Sequence, residues 1–178
     1  IDSDNEHVLK IKWNDIEGLE ELLNMHGNDI ACFISSPYDH PVSRDNTLPE
    51  EGYWKKITSL CKQYEVLTIV DDVRAGFRIN LAGSNVAFDF SPDMICFGKA
   101  IANGHPLASL VGKEKLKHSA EKVYFTGTQF FSAPPMAAAL ATLDQLQKVN
   151  APNKLIEYGQ NLNSCLLYTS PSPRDQAK

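Results

Sequence analysis

One stretch of the sequence decides the fold: residues 66–112 read VLTIVDDVRAGFRINLAGSNVAFDFSPDMICFGKAIANGHPLASLVG. It contains three short apolar runs, Val66–Val70, Met94–Phe97 and Leu107–Val111. Each run is continuously apolar, which is typical of strands that are buried on both faces of a sheet. The link 98–106 is too short for a parallel crossover, so we predict that the last two strands pair antiparallel.

Outward from this stretch, a fourth apolar run lies at Ile30–Ile34. Apolar residues recur at helical spacing over 50–64, with Pro49 suited to a first helical turn, so a right-handed β-α-β unit is predicted there. Residues 71–93 show no helical period, and we interpret this long irregular segment as functional. Further helices are predicted near 15–25, 113–121, 135–149 and 153–163.

Composition excludes several classes of protein. The chain has 178 residues, of which 43% are hydrophobic and 22% charged, as in ordinary soluble globular proteins. Its net charge of −5 argues against a nucleic-acid partner, which needs a basic face. No run approaches the roughly 18 apolar residues of a membrane helix. The four Cys and five His lack metal-ligand spacing, so no metal site is predicted.

Asp71 and Lys99 directly follow two of the predicted strands. Ligands of open α/β sheets bind at the carboxyl ends of strands. Asp71 could hold Mg²⁺ beside a nucleotide phosphate, pair with a protonated ring nitrogen, or serve as a helix cap or loop salt bridge. The sequence contains no GxxxxGK[ST] nucleotide loop. Lys99 is either an exposed loop lysine or an amine that burial near the ligand crevice makes nucleophilic.

Considered together, the two residues match one cofactor, pyridoxal 5'-phosphate (PLP). Lys99 would form a Schiff base with the cofactor aldehyde. Asp71 would keep the pyridine nitrogen protonated, so that the ring can accept electrons.

The same stretch resembles the core of the class III pyridoxal-phosphate-dependent aminotransferases, nearest to glutamate-1-semialdehyde 2,1-aminomutase-like proteins. The resemblance covers residues 8–164, and the spacing from Asp71 to Lys99 fits the family without a gap. It implies the α/β fold of fold-type I PLP enzymes, whose large domain has three layers around a mixed, mostly parallel sheet. The matching motifs are Asp71-Asp72-Val73, Gly76-Phe77-Arg78, Pro92-Asp93, Gly98-Lys99 and His105-Pro106.

The resemblance also implies roles for individual residues. Lys99 is the catalytic Schiff-base lysine, which also moves protons. Asp71 pairs with the pyridine nitrogen, and Val73 packs against one face of the ring. Thr128 reaches the cofactor phosphate of the neighbouring subunit, which implies a homodimer with a shared active site.

The expected function is therefore transfer of an amino group between a small-molecule donor and a keto or aldehyde acceptor, by a transaminase or an aminomutase. The alternatives are a non-catalytic fold-type I subunit that acts as an interaction module and a fragment of a nucleotide-binding ATPase. The family pattern is changed at Ser36-Pro37, Ala102-Asn103-Gly104 and Ser132-Ala133-Pro134. These positions lie near the substrate and the subunit interface, so the substrate stays open.

The chain matches only part of the family pattern. We expect residues 1–164 to be a partial PLP-binding large domain, which by itself is inactive and binds the cofactor weakly. Residues 165–178 are expected to be a disordered tail, because CLLYTSPSPRD resembles a translated sequencing adaptor. An in-frame genomic exon that encodes this string would contradict that origin. We expect the protein to act in the cytoplasm or an organelle matrix.

Overall fold

A four-stranded sheet forms the centre of the fold. A computed structural model describes residues 7–169. The strands are β1 (Cys32–Ser35), β2 (Leu67–Asp71), β3 (Met94–Phe97) and β4 (Ser109–Gly112), and they lie in the order β1-β2-β3-β4. β2 pairs parallel with β1 and with β3, whereas β3 and β4 pair antiparallel. The predicted mixed, mostly parallel sheet is therefore confirmed, including the reversal at its last strand.

Six α-helices lie within residues 7–169, and the second and third of them lie in the connections between the parallel strands. α2 begins at Tyr53 because Gly52 adopts a left-handed conformation (φ 75°) just before it, so Pro49 precedes the helix and does not lie in its first turn as predicted. α5 does contain prolines in its first turn. The helices are α1 (Ile16–His26), α2 (Tyr53–Gln63), α3 (Ser84–Ala87), α4 (Lys117–Lys122), α5 (Ala133–Lys148) and α6 (Ala151–Thr169), with 3₁₀ turns at Lys99–Ala102 and Glu114–Leu116.

The last helix is longer than predicted. α6 continues to Thr169, past the predicted end at residue 163, so residues 165–169 are helical and not a disordered tail. The residue before a proline is disfavoured in the helical conformation. Because Pro171 follows Ser170, an end at Thr169 agrees with this local rule. The rest of the predicted tail, 170–178, lies outside the described residues.

Two apolar clusters pack on one face of the sheet. The first lies under α1 and α2 and includes Ile57 and Val70, both fully buried. Trp54 stacks on Phe90 at 4.3 Å between ring centroids, and its indole N–H donates to the Pro37 carbonyl. The second cluster lies under α5. Its members are Phe77, Phe97, Ile101, Ala102 and Ala139.

The opposite face of the sheet is uncovered by the described residues. Side chains alternate along a strand, and residues paired across strands share a face. This face, called the open face below, therefore carries Cys32, Ile34, Leu67, Ile69, Asp71, Met94, Cys96 and Leu110. None of these residues belongs to either cluster, and Ile34 and Leu110 are 59% and 63% exposed. The prediction that the strands are buried on both faces is thus wrong within residues 7–169, because the described helices pack on one face.

Candidate active site

The carboxyl ends of β2 and β3 bring two of the predicted residues to one edge of the sheet. Asp71 is the last residue of β2 and pairs with Cys96 in the neighbouring parallel strand. Lys99 follows Cys96 by three positions and opens a 3₁₀ turn at the end of β3. Because the two strands are parallel, both residues lie where a ligand of such a sheet binds.

Asp71 has one carboxylate oxygen engaged and one available. Its Oδ1 accepts a hydrogen bond from the Val73 N–H at 3.2 Å, which orients the side chain in a short turn. No second hydrogen bond to this carboxylate is found in the part of the chain that the structure describes. Asp71 is half-buried on the open face, and it is therefore placed to meet a donor from outside the sheet.

The neighbouring carboxyl, Asp72, has a different environment. It is 1% exposed, and its Oδ2 accepts the Ser84 backbone N–H at 2.9 Å, which joins β2 to the start of α3. Burial raises the pKa of Asp72, the hydrogen bonds from Ser84 lower it in part, and the charge of Asp71 raises it again. Asp72 is therefore a structural residue, whereas Asp71 is accessible to a ligand.

Lys99 adopts an unusual backbone conformation. Its φ of 44° lies in the left-handed region, which residues other than glycine rarely adopt. Such strain is found preferentially at functional sites. The side chain is exposed, and its amine has no hydrogen bond or ion pair within residues 7–169. Of the two alternatives for Lys99, the described residues show the exposed loop lysine, because no helix among them closes over its amine.

Val73 lies against the segment that carries Lys99. A Cβ built on Gly98, the residue before the lysine, would lie 3.2 Å from Val73 Cγ1. A larger residue at position 98 would therefore press on this side chain. The contact places Val73 between the ends of β2 and β3, beside both Asp71 and Lys99.

Cys96 is the one thiol beside Asp71 among the described residues. Burial raises the pKa of Cys96, and the charge of Asp71 raises it further. The thiol is thus held in its protonated form, which is a poor nucleophile.

Thr128 lies away from the strand ends. It is exposed in the loop between α4 and α5, and the structure records no contact of it with Asp71, Val73 or Lys99. The same loop exposes several large apolar side chains, of which Tyr124 and Phe131 are 94% and 83% exposed. This exposure agrees with a loop that contacts another subunit, and the role of Thr128 stays a prediction.

No group of three or more His, Cys, Asp or Glu in residues 7–169 could hold a metal ion. No helix in this range is both long and apolar enough to cross a membrane.

The sequence interpretation missed one neighbour of Lys99. Arg78, considered only as part of the Gly76-Phe77-Arg78 motif, lines a cavity that Lys99 also lines. No local pattern in the sequence relates the two residues. Their proximity depends on how the segment after β2 folds back.

These features define the large domain of the fold-type I PLP enzymes. The chain matches the family model "Aminotransferase class-III" over residues 3–176, and it belongs to that family. Both the predicted fold class and the resemblance are confirmed.

Individual relatives show what the chain is similar to. It is 35% identical over 164 residues to an aminopentol aminotransferase of Sphingopyxis macrogoltabida, covering 92% of this chain and 39% of the relative. It is 36% identical over 162 residues to a glutamate-1-semialdehyde 2,1-aminomutase of Legionella pneumophila (strain Corby), covering 85% and 37%.

The fold is similar to that of solved aminotransferase structures. The FumI protein of Sphingopyxis sp. MTA144, in its PLP internal aldimine form, matches with a TM-score of 0.88 at 35% identity, covering 93% of this chain and 40% of that one. An acetylornithine aminotransferase from Elizabethkingia anophelis matches with a TM-score of 0.74 at 29% identity, covering 91% and 41%. The chain thus spans about 40% of the length of these relatives.

Proposed function

We propose that the full-length protein is a PLP-dependent transaminase or aminomutase. The observation that carries this proposal is the placement of Asp71 and Lys99 at the ends of neighbouring parallel strands. Family membership and the PLP-bound FumI structure support the choice of cofactor. When bound, PLP supplies a ring that accepts the electron pair left after a proton is removed from the substrate.

The residues present fit this cofactor. The Lys99 amine has no partner within the described residues and is free to bind an aldehyde. Asp71 presents an unused carboxylate oxygen for a protonated ring nitrogen, and the apolar side chain of Val73 lies against Gly98, the residue before Lys99. The site therefore offers an amine for the aldehyde, a carboxylate for the ring nitrogen and an apolar side chain for the ring face, as a flat, charged heteroaromatic ring requires.

Each residue then has a distinct task. Lys99 would hold the cofactor through its amine and would accept and return a proton at the substrate carbon, as a general base and acid. Asp71 keeps the ring nitrogen charged through a charge-assisted hydrogen bond. Val73 limits the ring to one orientation by contact with one of its faces.

The assembly is proposed to be a homodimer with shared active sites. Thr128 would donate its hydroxyl to the cofactor phosphate of the other subunit, from the loop that precedes α5. The exposed aromatic side chains of this loop support a contact with another subunit, because monomers rarely expose large apolar patches.

Substrate and compartment are the open parts of the proposal. The substrates would be a small amino donor and a keto or aldehyde acceptor. Cys32, Cys61 and Cys96 form no disulfide within the described residues, which supports a reducing compartment such as the cytoplasm or an organelle matrix. Membership of an enzyme family, with both Asp71 and Lys99 present, favours catalysis over a non-catalytic subunit or an ATPase.

Borohydride trapping tests the proposal. The full-length protein, loaded with PLP and reduced, should give a peptide with the cofactor attached to Lys99 by mass spectrometry. Lys99→Ala should lose both this adduct and amino-group transfer. Lys122→Ala, an exposed lysine on α4, is the matched control and should keep both. An adduct that survives in Lys99→Ala would refute the assignment.

A further inference from the structure

A cavity of about 500 Å³ lies beside Lys99. It is open to solvent and is lined by the segment Phe77–Arg78, by the 3₁₀ turn that begins at this lysine and by α5 and α6. Its polar lining has two cations and three uncharged groups, and no lining residue is acidic. The lining includes Arg78, Lys99, Asn103, Thr142, Gln145 and Leu146.

The two cations have no charged partner. Neither Arg78 nor Lys99 forms an ion pair within residues 7–169, although other basic side chains there do. Arg78 Nη1 donates to the Arg74 carbonyl at 2.5 Å, which fixes the direction of the guanidinium. Since guanidinium has five N–H donors, most of them stay available. The cavity is thus a positively charged space with donors already oriented.

The backbone around this cavity is strained at several points. Phe77, directly before Arg78, has a φ of 65°, and Lys99 and Asn103 each have a φ of 44°. All three residues line the cavity. Left-handed conformations at Phe and Lys are costly and persist where the surrounding structure holds them, most often at ligand sites.

We propose that Arg78 binds a carboxylate of the substrate and thereby makes the site selective for anionic substrates. A guanidinium pairs with a carboxylate through two parallel hydrogen bonds, and the uncharged amides of Asn103 and Gln145 add further donors. Leu146 offers apolar surface to a carbon chain. This inference rests on the proposed function, because Lys99 belongs both to the strand-end site and to the cavity, whereas Asp71 and Val73 do not line the cavity.

Calorimetric binding to the full-length holoenzyme tests this role without a turnover assay. Butyrate is the anionic probe, and butanamide is its uncharged counterpart of similar shape. Arg78→Gln should weaken the Kd for butyrate at least about tenfold, as loss of a charge-assisted pair requires, and leave butanamide unchanged. Arg78→Lys should give an intermediate Kd, because lysine keeps the charge but not the paired donors.

Arg74→Gln is the matched control, because Arg74 contacts His40 and does not line the cavity. Its Kd for butyrate should stay within about twofold of wild type. An unchanged Kd in Arg78→Gln would overturn the inference, as would a wild-type protein that binds inorganic phosphate but not butyrate. Borohydride trapping at Lys99 should persist in every Arg78 variant, so that a failure of this inference is distinguishable from a failure of the proposed function.

Discussion

Asp71 and Asp72 stand side by side at the end of β2 and serve different purposes. Successive side chains point to opposite faces of a sheet, so one carboxyl lies on the open face and the other lies in the interior. The interior carboxyl holds the Ser84 N–H, and the open-face carboxyl keeps an oxygen for a ligand.

This difference predicts opposite outcomes for two matched substitutions in the full-length protein. Asp72→Ala leaves the Ser84 N–H buried without an acceptor and should lower the free energy of unfolding by about 1–3 kcal/mol. Asp71→Ala should change it by less than about 0.5 kcal/mol. Asp71→Ala should nevertheless slow amino-group transfer at least about 100-fold, because the ring nitrogen loses the carboxylate that stabilises its charge.

Denaturant titration and a steady-state assay measure the two effects. Asp71 would have a structural role if Asp71→Ala unfolded as readily as Asp72→Ala. An active Asp71→Ala enzyme would contradict its place beside the cofactor.

Parts of this residue-scale result were predictable from sequence. Both acids follow an apolar strand, which indicated a ligand edge, and the motif assigned the first of them to the cofactor. The left-handed φ of Lys99 could not be predicted, because lysine has no preference for that region. The closeness of Arg78 to Lys99 depends on a turn that no short-range pattern encodes.

Among the elements, the start of β3 joins three parts of the sheet through one side chain. Asp93 Oδ2 accepts the Thr68 N–H of β2 at 3.0 Å. Its Oδ1 lies 2.7 Å from Lys115 Nζ and 3.4 Å from Lys113 Nζ, after β4. Burial raises the pKa of Asp93, but these lysines and the Thr68 N–H together lower it below its usual value.

A pH dependence of stability follows from this lowered pKa. A carboxyl whose pKa is lower in the folded state stabilises the fold above its unfolded pKa of about 3.9. That stabilisation is lost as the pH falls from about 4 through the folded value. Asp93→Asn should therefore cost about 1–3 kcal/mol at pH 7, and the difference from wild type should shrink in acid.

Urea titrations of the full-length protein at pH 7 and pH 3 measure the change. Asp89→Asn is the control, because Asp89 pairs with Lys55 at the surface and both side chains are largely exposed. Its effect should stay below about 1 kcal/mol at either pH. A constant difference between Asp93→Asn and wild type at both pH values would show that the charge of Asp93 does not matter.

The elements themselves followed well from the sequence. The four apolar runs became strands, and the short link 98–106 predicted the antiparallel reversal. The single helical turn of α3 and the 3₁₀ turns were missed, because pieces this short depend on tertiary contacts such as the bond between Ser84 and Asp72. The end of α6 was predicted too early. Residues 165–169 contain no proline or glycine that would end a helix, and the first such residue is Pro171.

At the scale of the whole molecule, the described helices cover one face of the sheet and leave the open face to solvent. The continuous apolar runs predicted burial on both faces, and within residues 7–169 only one face is covered. The exposure of the second face could not be predicted, because a continuous apolar run does not show which elements pack on it. The relatives are more than twice as long as this chain and have further residues that could supply a cover.

The open face predicts how the 178-residue chain behaves when it is produced alone. It should bind a hydrophobic dye such as ANS and associate with itself, because it exposes contiguous apolar side chains. The double change Ile34→Lys and Leu110→Lys should lower dye fluorescence at least about twofold and favour the monomer in light scattering.

Val86→Lys on α3 is the control for this effect, since Val86 is 52% exposed but lies off the sheet. It should leave dye binding near the starting level. Circular dichroism should show the same helix content in all variants. If Val86→Lys then lowered dye fluorescence as much as the double change, the open face would not be the surface that binds the dye.

The open face also determines which solvent suits the chain. Excluded salts such as sulfate strengthen the attraction between apolar surfaces, and cooling weakens it. Precipitation with ammonium sulfate therefore drives copies of this chain together through the sheet itself, and that contact is difficult to reverse. Cold buffers without sulfate or phosphate keep the copies apart, and a segment that covers the face would remove this sensitivity to salt and temperature.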